Sequence, residues 1–405
     1  MRRVSRNPAL AVVLVGGALA ISALAAENPI ASKGQGLVAI GGCQGCHTAN
    51  SGAPFAGGRA FETPFGTIYS TNITSDRDHG IGGWTEADFE RAMTRGTGPG
   101  GKRYYPVFPY PHYALASRED IAAIWTYLRT IPAAATEAPP NHLLPPFNVR
   151  SLLAGWEALY LHPKAPEESG LDVQARRGAE LIAGLGHCGA CHTPHNRVGA
   201  EDAARPLTGA MAEGWYAPPL QGDSPAPAPW TAEDLETYLR TGLSDHHQAA
   251  AGPMGAVTAE LAQAPESEVR DMAIYLSGLM SQAKHPAPVD QAQAAERTHP
   301  EGAQLYAGAC ASCHDVGSAM LRIGRPSLAV GTPLHEDRAT DVIMIILKGL
   351  KSPEGKAGPD MPPFANSFTD DEVTELSAYL RARFSREPAW KDIQSAVRAA
   401  RKGVT

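Results

Sequence analysis

The pentapeptide Cys-x-x-Cys-His occurs three times in this 405-residue chain, at residues 43–47, 188–192 and 310–314, and it consumes all six cysteines. Two thiols three positions apart can each form a thioether with a haem vinyl group, and the adjacent imidazole is then delivered to the iron as proximal ligand. The spacing predicts three covalently attached haems c, held by Cys43, Cys46, Cys188, Cys191, Cys310 and Cys313, with His47, His192 and His314 on iron. Such a set of centres moves electrons. Other uses of paired cysteines fit less well. A closed zinc site needs four Cys or His ligands, and each repeat supplies one pair and its fused histidine. Thiols that carry haem are not free to build a disulfide framework.

The second axial ligand sets how each haem behaves, Met raising the potential relative to a second His. Met361, in Asp360-Met361-Pro362-Pro363-Phe364, and Met254, in Gly252-Pro253-Met254-Gly255, hold corresponding places in the third and second segments. A neighbouring proline gives each the stiff loop needed to press a thioether onto iron. Met272, Met280 and Met344 sit on helical patterns and read as core filling; Met211 and Met320 are weaker candidates. In the first segment Phe108 occupies the slot. Three readings stay open there: His112, four residues on, making a bis-His haem; Met93; or no distal ligand. An open distal side would suit a rival function, a multihaem peroxidase-like enzyme with its catalytic haem in the first segment.

Other chemistry-bearing residues read more modestly. His187 and His195 flank the second motif and read as tuning its surface, and the pair His246 and His247 reads as an exposed loop. Arg59, Arg197, Trp84 and Trp215 are candidate contacts for haem propionates.

Elements that position the motifs recur with them. A Gly-led helical pattern precedes each motif, at Gly36, Gly178 and Gly302. An amphipathic helix ending in Tyr-Leu closes each segment, over 117–128, 267–276 and 369–380, with Ser or Thr and acids at its start as N-caps and dipole partners. Tyr127, Tyr275 and Tyr379 thus share one register. The repetition predicts a mainly α chain of three tandem domains joined by Pro/Ala-rich linkers. The boundaries are a first domain at 27–146, a second at 147–283 with a leading helix, a third at 296–386 and a tail at 387–405. Residues 132–146 and 281–300 read as stiff or disordered spacers. Residues 149–161 read as a helix that uses Trp156 to join the first two domains, and 224–229 as a surface loop.

Residues 1–26 combine a basic start with an apolar run rich in small residues, which reads as a secretory signal, cleaved near Ala26 or kept as an anchor. Its removal takes away Arg2, Arg3 and Arg6 and no acid, moving the formal charge from -7 to -10. That acidity argues against nucleic acid. Export predicts a periplasmic protein. The most apolar later run, 342–347, is far short of a span, so membrane contact is expected to be peripheral or through a partner. The basic tail 388–404, with Trp390, Ile393 and Val397 at helical spacing, suits an anionic membrane surface, packing on the third domain or on the partner, or plain solvation as a short basic end.

Beyond the motifs, several strings resemble the triple-haem cytochrome c subunits of bacterial membrane-bound dehydrogenases, including the alcohol, gluconate, sorbitol and some aldehyde dehydrogenases. They are Thr63-Pro64-Phe65-Gly66-Thr67-Ile68-Tyr69-Ser70-Thr71-Asn72-Ile73-Thr74, Trp84, residues 105–110, Cys191-His192-Thr193-Pro194, Gly214-Trp215, Gly252-Pro253-Met254 and Met361-Pro362-Pro363-Phe364. The resemblance implies class I cytochrome c-like domains and no catalysis by the chain itself. It also implies a catalytic dehydrogenase subunit of molybdenum, flavin or PQQ type as donor, and ubiquinone or a terminal oxidase as acceptor, at the outer face of the inner membrane. Many alcohol and gluconate members carry Met where Phe108 stands. Phe followed by a nearby His is more similar to cytochromes that accompany molybdenum hydroxylases of aldehydes or N-heterocycles.

Overall fold

A computed structural model describes residues 28–285, 287–352 and 359–403; the expected signal at 1–26 lies outside them. The chain is mainly helical, with short two- and three-stranded sheets. One arrangement occurs three times. An opening helix (Pro29–Ile40, Val173–Ala183, Pro300–Ala309) leads into a short helical turn bearing the motif (Cys43–Cys46, Gly189–His192, Ala311–His314). The opening helix then packs across a closing helix (Arg118–Leu128, Glu266–Met280, Asp370–Phe384).

Glycine makes each crossing possible. A β-carbon on Gly34 would lie 2.0 Å from the Ala123 carbonyl oxygen, one on Gly178 2.0 Å from that of Asp271, and one on Gly302 2.4 Å from that of Glu375. In each case the next neighbour along the closing helix is the β-carbon of Tyr127, Tyr275 or Tyr379. The tyrosine register predicted from sequence is therefore the crossing point. The glycine register is corrected in the first repeat. Gly34 is the counterpart of Gly178 and Gly302, whereas Gly36 faces the ring of Pro265 in the second repeat.

Capping fixes where the closing helices begin. Ser117 accepts from the Asp120 amide, and Thr369 forms a reciprocal capping box with Glu372. The middle helix departs from expectation, starting at Glu266 behind Pro265, so that Ser267 lies inside it.

Burial divides the chain unequally. Residues from Leu37 to Met280 form one continuous apolar core in which Ile121, Ile124, Leu181, Val269 and Met272 are all at most 2% exposed. The third repeat has its own core around Tyr306, Ile343, Leu347, Leu376 and Phe384. Neither expected spacer is free-standing. In the first, Asn72 donates from Nδ2 to the carbonyls of Ala134 and Thr136, and His142–Leu143 adds a strand antiparallel to Gly66–Tyr69. In the second, the helix Ala292–Thr298 packs on the closing helix, and Asp290 pairs with Arg383 at 2.7 Å. Residues 224–229 are not a surface loop, because Ser224 and Ala226 are buried and the Ala226 carbonyl is 2.8 Å from Nδ1 of His285.

The segment 149–161 is helical as expected, over Arg150–Leu152 and Leu153–Tyr160. Trp156 stands 6.3 Å from the ring of Tyr110 and donates from Nε1 to the Val198 carbonyl of the second repeat. The tail folds onto the third repeat: Trp390 donates to the Glu336 carbonyl at 2.9 Å, and Val397 of the helix Ile393–Lys402 is fully buried. Its apolar face is thus spent on protein.

Candidate haem sites

None of the six cysteines is bonded to another. Burial raises the thiols of Cys43 and Cys188 to about 12 and those of Cys191 and Cys310 to about 11, and Cys46 is raised by burial against the opposing pull of Arg59. Such thiols stay protonated at neutral pH, unlike reactive or metal-binding thiolates. The histidines complete the donor set. Nδ1 of His47 lies 2.6 Å from the Thr71 carbonyl, and Nδ1 of His192 lies 2.6 Å from that of Pro218. A carbonyl on Nδ1 fixes the tautomer and ring orientation and leaves Nε2 to face a metal, as metal-binding histidines do. Burial lowers both imidazoles, which favours the neutral form that ligates. The residues present therefore fit covalent haem. His314 is also lowered by burial, but its ring has no such carbonyl among the described residues.

The methionines occupy unlike settings. Met254 sits in the first turn of the helix Pro253–Leu261, half-buried against the large core, behind Gly252 whose φ of 54° is a left-handed value. Trp215 packs against that glycine, where a β-carbon would lie 2.4 Å from its ring. Met361 is held by a two-residue antiparallel bridge to Leu350, with backbone bonds of 3.0 and 2.8 Å. The bridge and Pro362-Pro363 together fix the loop.

The first repeat differs. Phe108 packs among Tyr104, Tyr110 and Tyr113. His112, one of the three readings for the distal side of the first haem, faces the second repeat: Nδ1 lies 2.7 Å from the Ala183 carbonyl and Nε2 2.6 Å from Oε1 of Glu201. Burial works to lower this imidazole, but Glu201 outweighs it and holds the value above the ordinary one. To reach iron the ring would have to give up both partners. Met93 is 5% exposed within the core beside Phe89, on the helix Glu86–Arg95.

The first two motif loops lie side by side. Arg59 donates from one guanidinium nitrogen to the Gly45 carbonyl and from the other to Glu213 across the repeats. Cys46 is close enough to Cys191 to raise it electrostatically. Tyr113 donates to the Gly41 carbonyl and stacks on His187, whose imidazole burial pulls down to about 4. No signal within either motif announces this juxtaposition. Among the remaining candidates, His195 and Arg197 are exposed, and Trp84 is half-buried against the core. The histidine pair splits. His246 is exposed beside Asp234, whereas His247 is 4% exposed and stacked 3.5 Å from Trp230, which corrects the expectation of an exposed pair.

Residues 297–380 match the family model described as cytochrome C oxidase, cbb3-type, subunit III. The chain is 41% identical to a nicotinate dehydrogenase subunit of Pseudomonas putida over 90% of its own length and 31% of that relative's, so it spans about a third of that protein. It is 33% identical to the gluconate 2-dehydrogenase cytochrome c subunit of Pantoea cypripedii, covering 91% of this chain and 90% of the relative. The cytochrome c subunit of alcohol dehydrogenase (quinone) from Gluconobacter oxydans is 30% identical over 88% of this chain and 79% of the relative.

Proposed function

The chain belongs to the family of dehydrogenase cytochrome c subunits, electron-transfer rather than catalytic components, and from that premise we propose a three-haem carrier between a catalytic dehydrogenase subunit and a membrane acceptor. Three class I cytochrome c-like domains would each hold one covalent haem c. Cys43, Cys46, Cys188, Cys191, Cys310 and Cys313 form the thioethers, and His47, His192 and His314 are the proximal ligands. Met254 and Met361 are the distal ligands of the second and third haems. Bound there, each haem supplies one reversible one-electron step. The observation that carries the reading is the recurrence of the motif turn at one place in a repeated helical frame, with two of its imidazoles oriented by carbonyls.

What the protein's own residues do is position and tune. Thr71 and Pro218 aim the imidazoles, and Arg59 with Tyr113 lock the first motif loop against the second. A quinone acceptor is supported by the name of the alcohol dehydrogenase relative, with a terminal oxidase as the other candidate. The nicotinate dehydrogenase relative supports a catalytic partner acting on an N-heterocycle, in line with Phe108 followed by His112. The location proposed is the periplasmic face of the inner membrane.

Purifying the complex from solubilised membranes tests the reading. Three haems per chain, reduced by substrate only when the catalytic subunit is present, is the expected result. Substrate oxidation by the isolated chain overturns it. Electron paramagnetic resonance of the oxidised protein settles the first haem: a low-spin signal abolished by His112→Ala means that His112 leaves Glu201 for iron, and a high-spin signal means that it does not. Met254→Ala and Met361→Ala should each turn one low-spin haem high-spin.

A further inference from the structure

The large apolar side chains exposed among the described residues are densest in one stretch of the sequence. Of the fourteen large apolar side chains exposed among the described residues, six lie between 144 and 160: Leu144, Phe147, Val149, Leu152, Leu159 and Tyr160. Val107 and Val198 adjoin them through hydrogen-bonded or sequence neighbours. Clusters of this kind mark interaction surfaces, whereas scattered exposed apolar residues need no explanation. The segment is also held in place. Phe147 packs 4.5 Å from Phe65, the Tyr105 hydroxyl donates to the Phe147 carbonyl at 2.9 Å, and Trp156 stands 5.5 Å from Tyr160.

The charges around this surface run against those of the chain. The whole protein carries a formal charge of -7, yet residues 142–164 contain a single acid, Glu157, whose side chain is 10% exposed and paired with Arg103. Lys102 and Lys164 are exposed, and Arg150 lies half-buried with its guanidinium 4.7 Å from the Tyr105 ring. Lys164 has Glu167 for an acidic neighbour, whereas Lys102 and Arg150 face each other; apolar side chains beside Trp, Tyr and such cations are the composition of an element that rests in the headgroup region of an anionic bilayer. No helix among the described residues is long and apolar enough to cross a membrane, and the tail helix has spent its apolar face on the third repeat. We propose that residues 144–160, rimmed by Lys102, Arg150 and Lys164, form the surface by which this protein docks on anionic lipid. The proposal rests on the electron-carrier reading for its purpose, since it sets the loop bearing Phe108, joined to this segment through Tyr105 and Tyr110, toward the lipid phase.

The test is sedimentation of the haem-loaded full chain with vesicles of phosphatidylcholine, with or without phosphatidylglycerol. Leu152→Glu with Leu159→Glu should weaken binding to phosphatidylglycerol vesicles roughly tenfold or more. The control pair Ile30→Glu with Val173→Glu, also exposed, should bind as the parent does. Lys102→Glu with Lys164→Glu should weaken binding and remove its salt dependence. Brominated lipid should quench Trp156 in the parent and the control pair but not in the Leu152/Leu159 variant. Unchanged sedimentation of the Leu152/Leu159 variant overturns the proposal, as does loss of the co-purifying catalytic subunit with vesicle binding intact, which would assign the surface to that subunit. Visible spectra are read in parallel. Haems that the catalytic subunit fails to reduce, in a chain that still binds vesicles, defeat the electron-carrier reading and leave the docking surface standing.

Discussion

The first two repeats and the third use the same helical frame, but they are built to different degrees of independence. Repeats one and two share a core, two adjacent motif loops, and a joint in which Asp120 meets both Lys33 and Arg177. The third repeat closes its own core with buried arginines: Arg381 donates to the carbonyls of Leu334 and Glu336, and Arg383 to Asp290 and Asp315. It meets the second through polar contacts: the Tyr216 amide donates to Asp341, Arg338 stacks on the Tyr216 ring, and Gln248 donates from Nε2 to the Ser327 carbonyl. The difference teaches that sequence repetition does not imply equal autonomy. A pair of fused modules and a separable one are encoded by the same motif, and the distinction lies in what the outer faces of the helices meet.

The sharpest way to break this comparison is to remove one haem attachment. Cys188→Ala with Cys191→Ala should cost both the first and the second haem, because the cavity left in the shared core undermines both. Cys310→Ala with Cys313→Ala should cost only the third. Haem content per chain by pyridine haemochrome separates these outcomes, and equal losses would show that the repeats are equivalent. Next in size are the helix crossings. Gly178→Ala forces a β-carbon onto the Asp271 carbonyl and should destabilise the fused pair by about 3 kcal/mol. Gly302→Ala should lower the melting of the third repeat alone, followed through the haem absorbance of each.

The two joints should respond to pH in opposite senses. Burial works to raise Asp120, but Lys33 and Arg177 overcome it and hold the carboxyl below its ordinary value. Its stabilisation is present above about pH 4 and is lost as the pH falls through the folded value. Burial instead raises Asp341 to about 6 and Glu336 well above its ordinary value, the two acids repelling one another. For a raised carboxyl, stability is lost as pH climbs from about 4 toward the folded value. Acidifying from pH 7 to 5 should therefore stabilise the folded third repeat and leave the Asp120 joint unchanged. Thermal melting of the third repeat at the two pH values measures the first effect, and limited proteolysis below pH 4 should open the fused pair. The smallest effect is expected at the exposed pair of Arg118 and Glu90, where Arg118→Ala should leave melting within error.

The sequence made most of the local order legible, the cap expected at Ser267 being the exception. The motif turns, the tyrosine register, the caps at Ser117 and Thr369, and the joining role of Trp156 follow from short-range spacing and appear where expected. What stayed hidden depends on residues far apart in the chain. Gly36 looked like the helix-crossing glycine because it heads an apolar run, yet its neighbour is Pro265. The partners of His112, Ala183 and Glu201, belong to another repeat and leave no mark on the loop around it. The Pro/Ala-rich stretch near Ala226 looked solvent-facing by composition, although small residues without polar side chains are also easy to bury against a neighbouring wall.

The contact between Gly36 and Pro265 sets a timetable for biogenesis. Contacts between distant parts of a chain form late, since the intervening loop must be closed before they repay its entropy. The opening helix of the first repeat cannot finish burying its face until nearly all of the second has been made. In the proposed three-haem protein the first motif thus stays open to haem for longer than the third, whose core draws on a compact, later stretch of chain. Maturation of the leading haem is in this sense paced by the arrival of its neighbour.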